Sequence, residues 1–250
     1  MSLDYLLTWM LVLLRTLGVI LQLPVVAGRP LPVAVRVGLC VCIATLIAGI
    51  VPAATLPAGL WDLLLVVGGE VALGLALGFV GRMAFAAVEM AGRIMSTEIG
   101  LSANPGLGVP EPANEPLAAL VSTFAIVLFF LFGGHLMMLS ALTRSFTLAP
   151  TGHPGLGPAA GDSLVLEVSH MLELGVRIAA PFIAMNFLVT LAFSTLGRVV
   201  PKMSVFIISF SVRVIAGFTL LITAGTLIAR YLYIEFGDTP TRMLQILAGH

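Results

Sequence analysis

The sequence predicts an all-α membrane protein whose apolar segments form long, partly kinked helical hairpins. Of its 250 residues, 59% are hydrophobic and only 10% are charged, whereas soluble domains carry about 25% charged residues. The mean hydropathy is +1.12, and about six long apolar runs are separated by proline and glycine breaks. A water-soluble fold of this composition would expose more apolar surface than it could bury, so a polytopic membrane protein is predicted.

Charge and cysteine content argue against a nucleic-acid partner and against a paired use of the two cysteines. The formal net charge is zero, and a nucleic-acid-binding protein would show a basic excess. The two cysteines, Cys40 and Cys42, stand two positions apart within an apolar run. Helical residues at that spacing point to different faces, so neither an intrachain disulfide nor a metal pair is expected.

The apolar segments are placed by the breaks between them, and together they form one integral membrane domain over residues 1–250. Asp162 is expected to cap the fifth segment, and Pro181 is expected to kink it. A short polar tail is expected at residues 235–250. We expect the six segments at residues 5–23, 33–50, 58–99, 117–146, 163–196 and 202–234.

The third segment is too long for a simple membrane span. A helix that starts near residue 58 meets no breaker until Gly100, and it would be roughly 64 Å long, about twice the hydrocarbon core. Its first half is apolar and rich in small residues. There Gly74 and Gly78 form a GxxxG pair, which allows another helix to approach closely.

Charged stripes on the third and fifth segments allow two interpretations. They are either exposed faces of amphipathic extensions or contacts with neighbouring subunits, because charges on such helices need partners. The inter-subunit interpretation makes the more specific prediction, namely that the charges pair across neighbouring subunits. The candidate residues on the two stripes are Arg82, Glu89, Arg93, Glu167, Glu173 and Arg177.

No residue pattern predicts catalysis, a cofactor or a metal site. Glu167 and His170 have an E-x-x-H spacing, but a di-metal bundle would need a second such motif. Nucleophile and phosphate-binding motifs are lacking. Ionisable groups stand within apolar runs at Arg15, Arg36, Asp62 and Glu70. Such groups serve either a proton-coupled transporter or a bond to a neighbouring helix, and for Glu70 we favour the bond.

The stretch EIGLSANPGLGVPEPANEPLA, at residues 98–118, contains four prolines and three glycines between two apolar runs. This density of breakers excludes a regular helix. Non-helical backbone at membrane depth is tolerated only inside protein or along a watery cavity. Residues 102–116 are therefore a candidate pore loop, and an exposed connecting loop is the alternative. The plug candidates are Asn104, Pro105, Gly106, Leu107, Gly108, Val109, Pro110, Glu111 and Pro112.

Three blocks, in order, resemble the FliR family of flagellar export-gate proteins and their injectisome counterparts. They are GEVALGLALGFVGRMAFAAVEMAGRIMSTEIGLS at 69–102, GGHLMMLSALTRSF at 133–146, and LAFSTLGRVVPKMSVFIISFSVRVIAGF at 191–218. The stretch AVEMAGRIMSTEIGLS is more similar to the flagellar form. The resemblance covers essentially the whole chain.

The resemblance implies a structural subunit, without enzymatic activity or cofactor, of the flagellar type III protein-export gate. In that family the helical hairpins pack with FliP and FliQ subunits into a hetero-oligomeric helical gate through which unfolded export substrates pass. The implied partners are FliP- and FliQ-like subunits, an FlhB-like subunit, export substrates and membrane lipid. The implied location is the bacterial inner membrane, within the flagellar basal body. A family loop that enters the pore corresponds to residues 102–116 here.

Other functions remain open at this point. The injectisome counterpart of the same gate and a small-solute or proton-coupled transporter are the alternatives, and an intramembrane enzyme ranks last for want of a nucleophile or metal site. A transporter would show substrate-dependent flux by this chain alone, whereas a gate subunit would be isolated with partner membrane subunits.

Overall fold

The computed structural model describes residues 3–23, 32–54, 59–101, 116–155, 157, 160–199 and 205–248. Within these residues the chain forms α-helices and no strands, which confirms the predicted all-α class. The helices are α1 (Leu3–Ile20), α2 (Val33–Ala48), α3 (Leu60–Ile99), α4 (Pro116–Leu131), α5 (Gly134–Leu148), α6 (Ala160–Val199) and α7 (Val205–Ala248).

The fourth predicted segment is not one helix but two. Helices α4 and α5 meet at a bend of 67°. The cause is Gly133, which adopts φ 71°, a left-handed conformation that side-chain-bearing residues rarely adopt. An apolar run through this point hides the break, because hydrophobicity does not change across it.

Two expectations about the later helices are wrong. Asp162 lies inside the first turn of α6 and is not its cap, since the helix already includes Ala160. Its carboxylate still faces the positive end of the helix dipole there. The sixth segment does not end at residue 234, because α7 continues to Ala248 with Phe236 and Met243 buried. Pro181 lies within α6, as expected, and the kink there stays a prediction.

Helix α3 has the predicted length. Its 40 residues extend over about 60 Å, and Gly100 ends it with φ 91°. The amide of Leu101 donates to the Ser96 carbonyl at 2.9 Å, and that of Gly100 donates to the Thr97 carbonyl at 3.0 Å. This pair of bonds is a Schellman motif, which satisfies the last carbonyls of the helix.

Several helices have the length and composition of membrane spans. Helices α3 and α6 qualify, as do residues Ile207–Leu247 of α7, and the bent pair α4–α5 would make a fourth span. In the most apolar stretches of α6 and α7, only 17% of the residues are buried within the described part of the chain. The chain is an all-α membrane protein.

The chain divides into two compact units. Unit 1 comprises Met1–Ala84, Phe130–Ser169 and Glu235–His250, and unit 2 comprises Phe85–Phe129 and His170–Ile234. In unit 1, Ile20 of α1 and Cys40 of α2 form a small buried cluster. Cys42 is exposed and both thiols are free, so the two cysteines lie on different faces, as predicted.

Unit 2 packs around the second half of α3. Phe85 contacts Phe129 of α4 edge to face, with ring centroids 5.1 Å apart. Gly92 lies against Ala118 of α4, where a β-carbon would come within 2.9 Å of the Ala118 Cα. Gly175 of α6 is covered by the half-buried Met90 side chain of α3, so this methionine packs between the two helices.

Candidate functional site

A fully buried ion pair joins α1 and α3 in unit 1. Arg15 Nε donates to Glu70 Oε2 at 2.6 Å, and neither side chain has any exposed surface. Both residues were singled out as charges within apolar runs. The expectation that Glu70 bonds a neighbouring helix is therefore confirmed.

The Arg15 guanidinium is also held by α5 and the turn after it. Nη1 donates to the Ala149 carbonyl at 2.9 Å and to Ser145 Oγ at 3.3 Å. The guanidinium carbon lies 4.1 Å from the centroid of the Phe146 ring, a distance typical of a cation–π contact. Sequence reasoning missed these three partners, because a serine, a carbonyl and a phenylalanine carry no distinctive signal.

Glu70 is bonded on its second oxygen as well. The amide of Gly152 donates to Oε1 at 3.2 Å, and Gly152 adopts φ 90°. Glu70 thus ties α3 both to α1 and to the turn that follows α5. Because the opposite charges neutralise each other and are sealed from solvent, this cluster is suited to locking helices together rather than to binding a ligand.

The other two flagged ionisable groups do not join this cluster. Asp62 is exposed in the first turn of α3, where its charge is favourable to the helix dipole. Arg36 is half-buried on α2. The structure therefore brings together two of the four groups.

Helices α1 and α3 touch backbone to backbone at the GxxxG pair. A β-carbon at Gly74 would lie 2.5 Å from the Arg15 carbonyl oxygen, and one at Gly78 would lie 2.6 Å from the Gly18 carbonyl oxygen. Gly18 in turn faces the Gly74 backbone. A β-carbon added at Gly18 would lie 2.6 Å from the Gly74 carbonyl carbon. Gly74 and Gly78 therefore allow α1 of the same chain to pack closely against α3.

Two charge pairs of the predicted stripes lie exposed in unit 2. Arg93 donates to Glu89 at 2.7 Å, and Arg177 pairs in the same i, i+4 register with Glu173. All four side chains are more than half exposed. Arg82, in unit 1, is also exposed.

Glu167 does not belong to an exposed stripe. It lies in unit 1, where its oxygen is 3.6 Å from Arg242 of α7, and its side chain is only 13% exposed. Arg242 also donates to Glu235 at 2.7 Å. The sequence missed this cluster because the end of α7 was predicted to be a polar tail. The part of the chain that the structure describes contains no group of three potential metal ligands.

The candidate pore loop falls, except for Pro116, outside the described residues. Residues 102–115, which include every plug candidate from Asn104 to Pro112, lie outside the described residues. The described chain enters this stretch at Leu101 and leaves it at Pro116, the first residue of α4.

Comparison with known families identifies the chain. Residues 6–238 match the family of bacterial export proteins, family 1. The chain belongs to this family. The family is described by export, which agrees with a site that holds helices together.

Individual relatives confirm the resemblance to the FliR family. The flagellar biosynthetic protein FliR of Escherichia coli (strain K12) is 32% identical over 237 residues, which cover 94% of this chain and 91% of the relative. FliR of Pectobacterium carotovorum subsp. carotovorum is 30% identical over 249 residues, with 94% and 92% covered. Yop proteins translocation protein T of Yersinia pestis is 30% identical over 159 residues, which cover 61% of this chain and 60% of the relative.

Proposed function

We propose that this chain is a structural subunit of the flagellar type III protein-export gate, which forms with FliP- and FliQ-like subunits the channel for unfolded export substrates. The observation that carries the proposal is 32% identity to a FliR protein over 94% of the chain. The injectisome counterpart is the second candidate, since a Yop translocation protein matches 61% of the chain. The wider coverage favours the flagellar assignment.

The exposed faces of unit 2 support an assembled state. Helix α6 carries large apolar side chains that are more than half exposed at Phe187 and Leu188, and the Glu173–Arg177 pair is exposed on the same helix. Apolar side chains alone are satisfied by lipid, but charges facing hydrocarbon are costly unless they contact protein or water. Unit 2 is therefore suited to protein neighbours, with lipid covering the remaining apolar surface.

The proposed setting follows from the same assignment. We place the single export domain, residues 1–250, in the bacterial inner membrane within the flagellar basal body, next to an FlhB-like subunit. It needs no cofactor and performs no catalysis in this role.

Isolation of the chain tests the proposal. We expect the tagged chain to be recovered in high yield only when FliP- and FliQ-like subunits of the same organism are co-expressed, because unit 2 exposes faces that need partners. Native mass spectrometry of the detergent-solubilised sample measures which subunits are bound. A stable monomer that binds neither subunit when they are present would contradict the proposal.

We further propose that residues 102–116 act as a plug of this channel. Their proline and glycine content predicts non-helical backbone before Pro116, where α4 begins, and such backbone is tolerated at membrane depth inside protein or along a watery cavity. A stretch without helical hydrogen bonds contributes little to the stability of the helical scaffold. It could therefore move to open or close the channel without disrupting the assembly.

Deletion of residues 106–112 separates a plug from a connecting loop. We expect the shortened chain to assemble normally but to make the closed channel leak, because only the seal is removed. Complex yield and the sensitivity of cells to small solutes are measured together. Normal assembly with an unchanged permeability barrier would contradict the plug and indicate that this stretch is a connecting loop.

A further inference from the structure

Four polar side chains in unit 2 form a series of polar contacts across three helices. Asn186 Nδ2 on α6 donates to Glu98 Oε2 near the end of α3 at 2.5 Å. Arg213 Nη2 on α7 donates to Thr190 Oγ1 on α6 at 3.1 Å. Thr190 Oγ1 in turn lies 2.7 Å from the Asn186 main-chain oxygen and 3.4 Å from its side-chain oxygen.

The guanidinium donates to the Thr190 hydroxyl, and the Asn186 side-chain amide donates to Glu98. The hydroxyl itself donates to the Asn186 main-chain oxygen at 2.7 Å, and its contact with the Asn186 side-chain oxygen, at 3.4 Å, is the longest in the series. The cation of Arg213 and the anion of Glu98 thus stand at opposite ends of this series of polar contacts. Because isolated charges are expensive in apolar helices, the neutral bridge lets two charges on different helices compensate each other without direct contact.

Apolar contacts hold the same end of α3. A β-carbon at Gly217 of α7 would lie 2.5 Å from the Ile99 side chain, and one at Gly100 would lie 3.3 Å from the Phe210 ring. The last turn of α3 is therefore pressed against α7 and bonded to α6.

We propose that Glu98, Asn186, Thr190 and Arg213 form a bridged ion pair that fixes the end of α3, and that they are positioning residues for the export channel. The bridge itself stands on the hydrogen bonds, whereas the role in the channel rests on the proposed function. By fixing Gly100 and Leu101, the bridge determines where and in which direction the chain leaves α3.

A pair of threonine variants tests the bridge. Thr190→Val removes the hydroxyl that joins Arg213 to Asn186. Thr223→Val is the matched control, because Thr223 is exposed on α7 and its hydroxyl bonds only to carbonyls of its own helix. We expect Thr190→Val to lower the apparent melting temperature of the purified assembly by about 3 °C and the control to leave it nearly unchanged. Equal shifts for the two variants would overturn the bridge.

Arginine variants test the positioning role. Arg213→Gln removes the charge, whereas Arg213→Lys keeps the charge and a donor. We expect cells with Arg213→Gln to export less and to leak small solutes at normal complex yield, and Arg213→Lys to restore both readouts. Normal export and a tight barrier in Arg213→Gln would overturn the positioning role even if the melting temperature falls. If FliP- and FliQ-like subunits fail to co-purify with the wild-type chain, the proposed function fails instead, while the threonine comparison still tests the bridge.

Discussion

Replacing Glu70 with leucine should remove most of the folded protein from the membrane. The change leaves the Arg15 guanidinium buried without its carboxylate, although both side chains are fully enclosed. Removing one partner of a buried ion pair destabilises a protein by about 3–5 kcal/mol. Total stabilities are only about 5–15 kcal/mol, so a loss of this size is large. The yield of monodisperse protein after solubilisation measures the effect.

The double variant Arg15→Leu/Glu70→Leu shows whether the loss comes from the stranded charge. With both charges gone, the site becomes apolar, and such replacements are often neutral or stabilising in buried positions. We therefore expect the double variant to recover much of the yield that Glu70→Leu loses. Ser145 and the Ala149 carbonyl lose a donor in this variant, which keeps recovery below the wild-type level.

Asp62→Leu is the control, because it removes a carboxylate from the same helix at an exposed position. Its loss should cost about 0.3–1 kcal/mol, the contribution of a charge near a helix terminus. An Asp62→Leu effect as large as that of Glu70→Leu would contradict the interpretation that the Arg15–Glu70 ion pair holds α1 and α3 together. So would a double variant that is no better folded than Glu70→Leu alone.

The sequence predicts the helices well where a breaker coincides with a change of polarity. Helix α3 begins and ends close to the predicted residues, because Gly100 follows an unbroken run. The bend at Gly133 was missed, since the residues on both sides are apolar. The end of α7 was missed for the opposite reason: its residues are polar in sequence, but Phe236, Met243 and Ile246 alternate with them and are buried.

The polar clusters are only half visible in the sequence. Arg15 and Glu70 stand out singly as charges in apolar runs, but their pairing spans 55 positions and depends on how α1 packs against α3. The Glu98–Asn186 bond was missed altogether, because an asparagine within a helix indicates no particular partner. Sequence pattern thus identifies which groups need a partner, and only packing identifies the partner.

Replacing Gly74 with leucine should prevent α1 from packing against α3. Even the first carbon of the new side chain would lie 2.5 Å from the Arg15 carbonyl oxygen and 2.9 Å from the Arg15 Cα. These are backbone atoms, which cannot rotate away as the end of a side chain can, so the two helices must separate. Overpacking in a well-packed site destabilises by about 1–3 kcal/mol, occasionally more.

Because Gly74 contacts the backbone of Arg15, we expect a destabilisation at the upper end of the range for overpacking. The backbone that Gly74 touches belongs to Arg15, so moving α1 away also lengthens the 2.6 Å bond from Arg15 to Glu70. Gly78→Leu would meet the Gly18 carbonyl oxygen one turn further along, and it should separate the helices with less effect on the ion pair. We therefore expect Gly74→Leu to reduce the yield of folded protein, and hence of assembled complex, more than Gly78→Leu does.

Gly68→Leu is the matched control on the same helix. A β-carbon there would meet no atom within 4 Å in the described part of the chain, so the identical substitution adds bulk without a clash. Leu75→Ala is a second control, because Leu75 is 48% exposed and loses only its own packing. Complex yield, measured by pull-down through the tagged chain, should fall for Gly74→Leu and stay near wild type for both controls. If Gly68→Leu reduces the yield as much as Gly74→Leu, added bulk anywhere on α3 is harmful, and the close approach of α1 is not what the GxxxG pair provides.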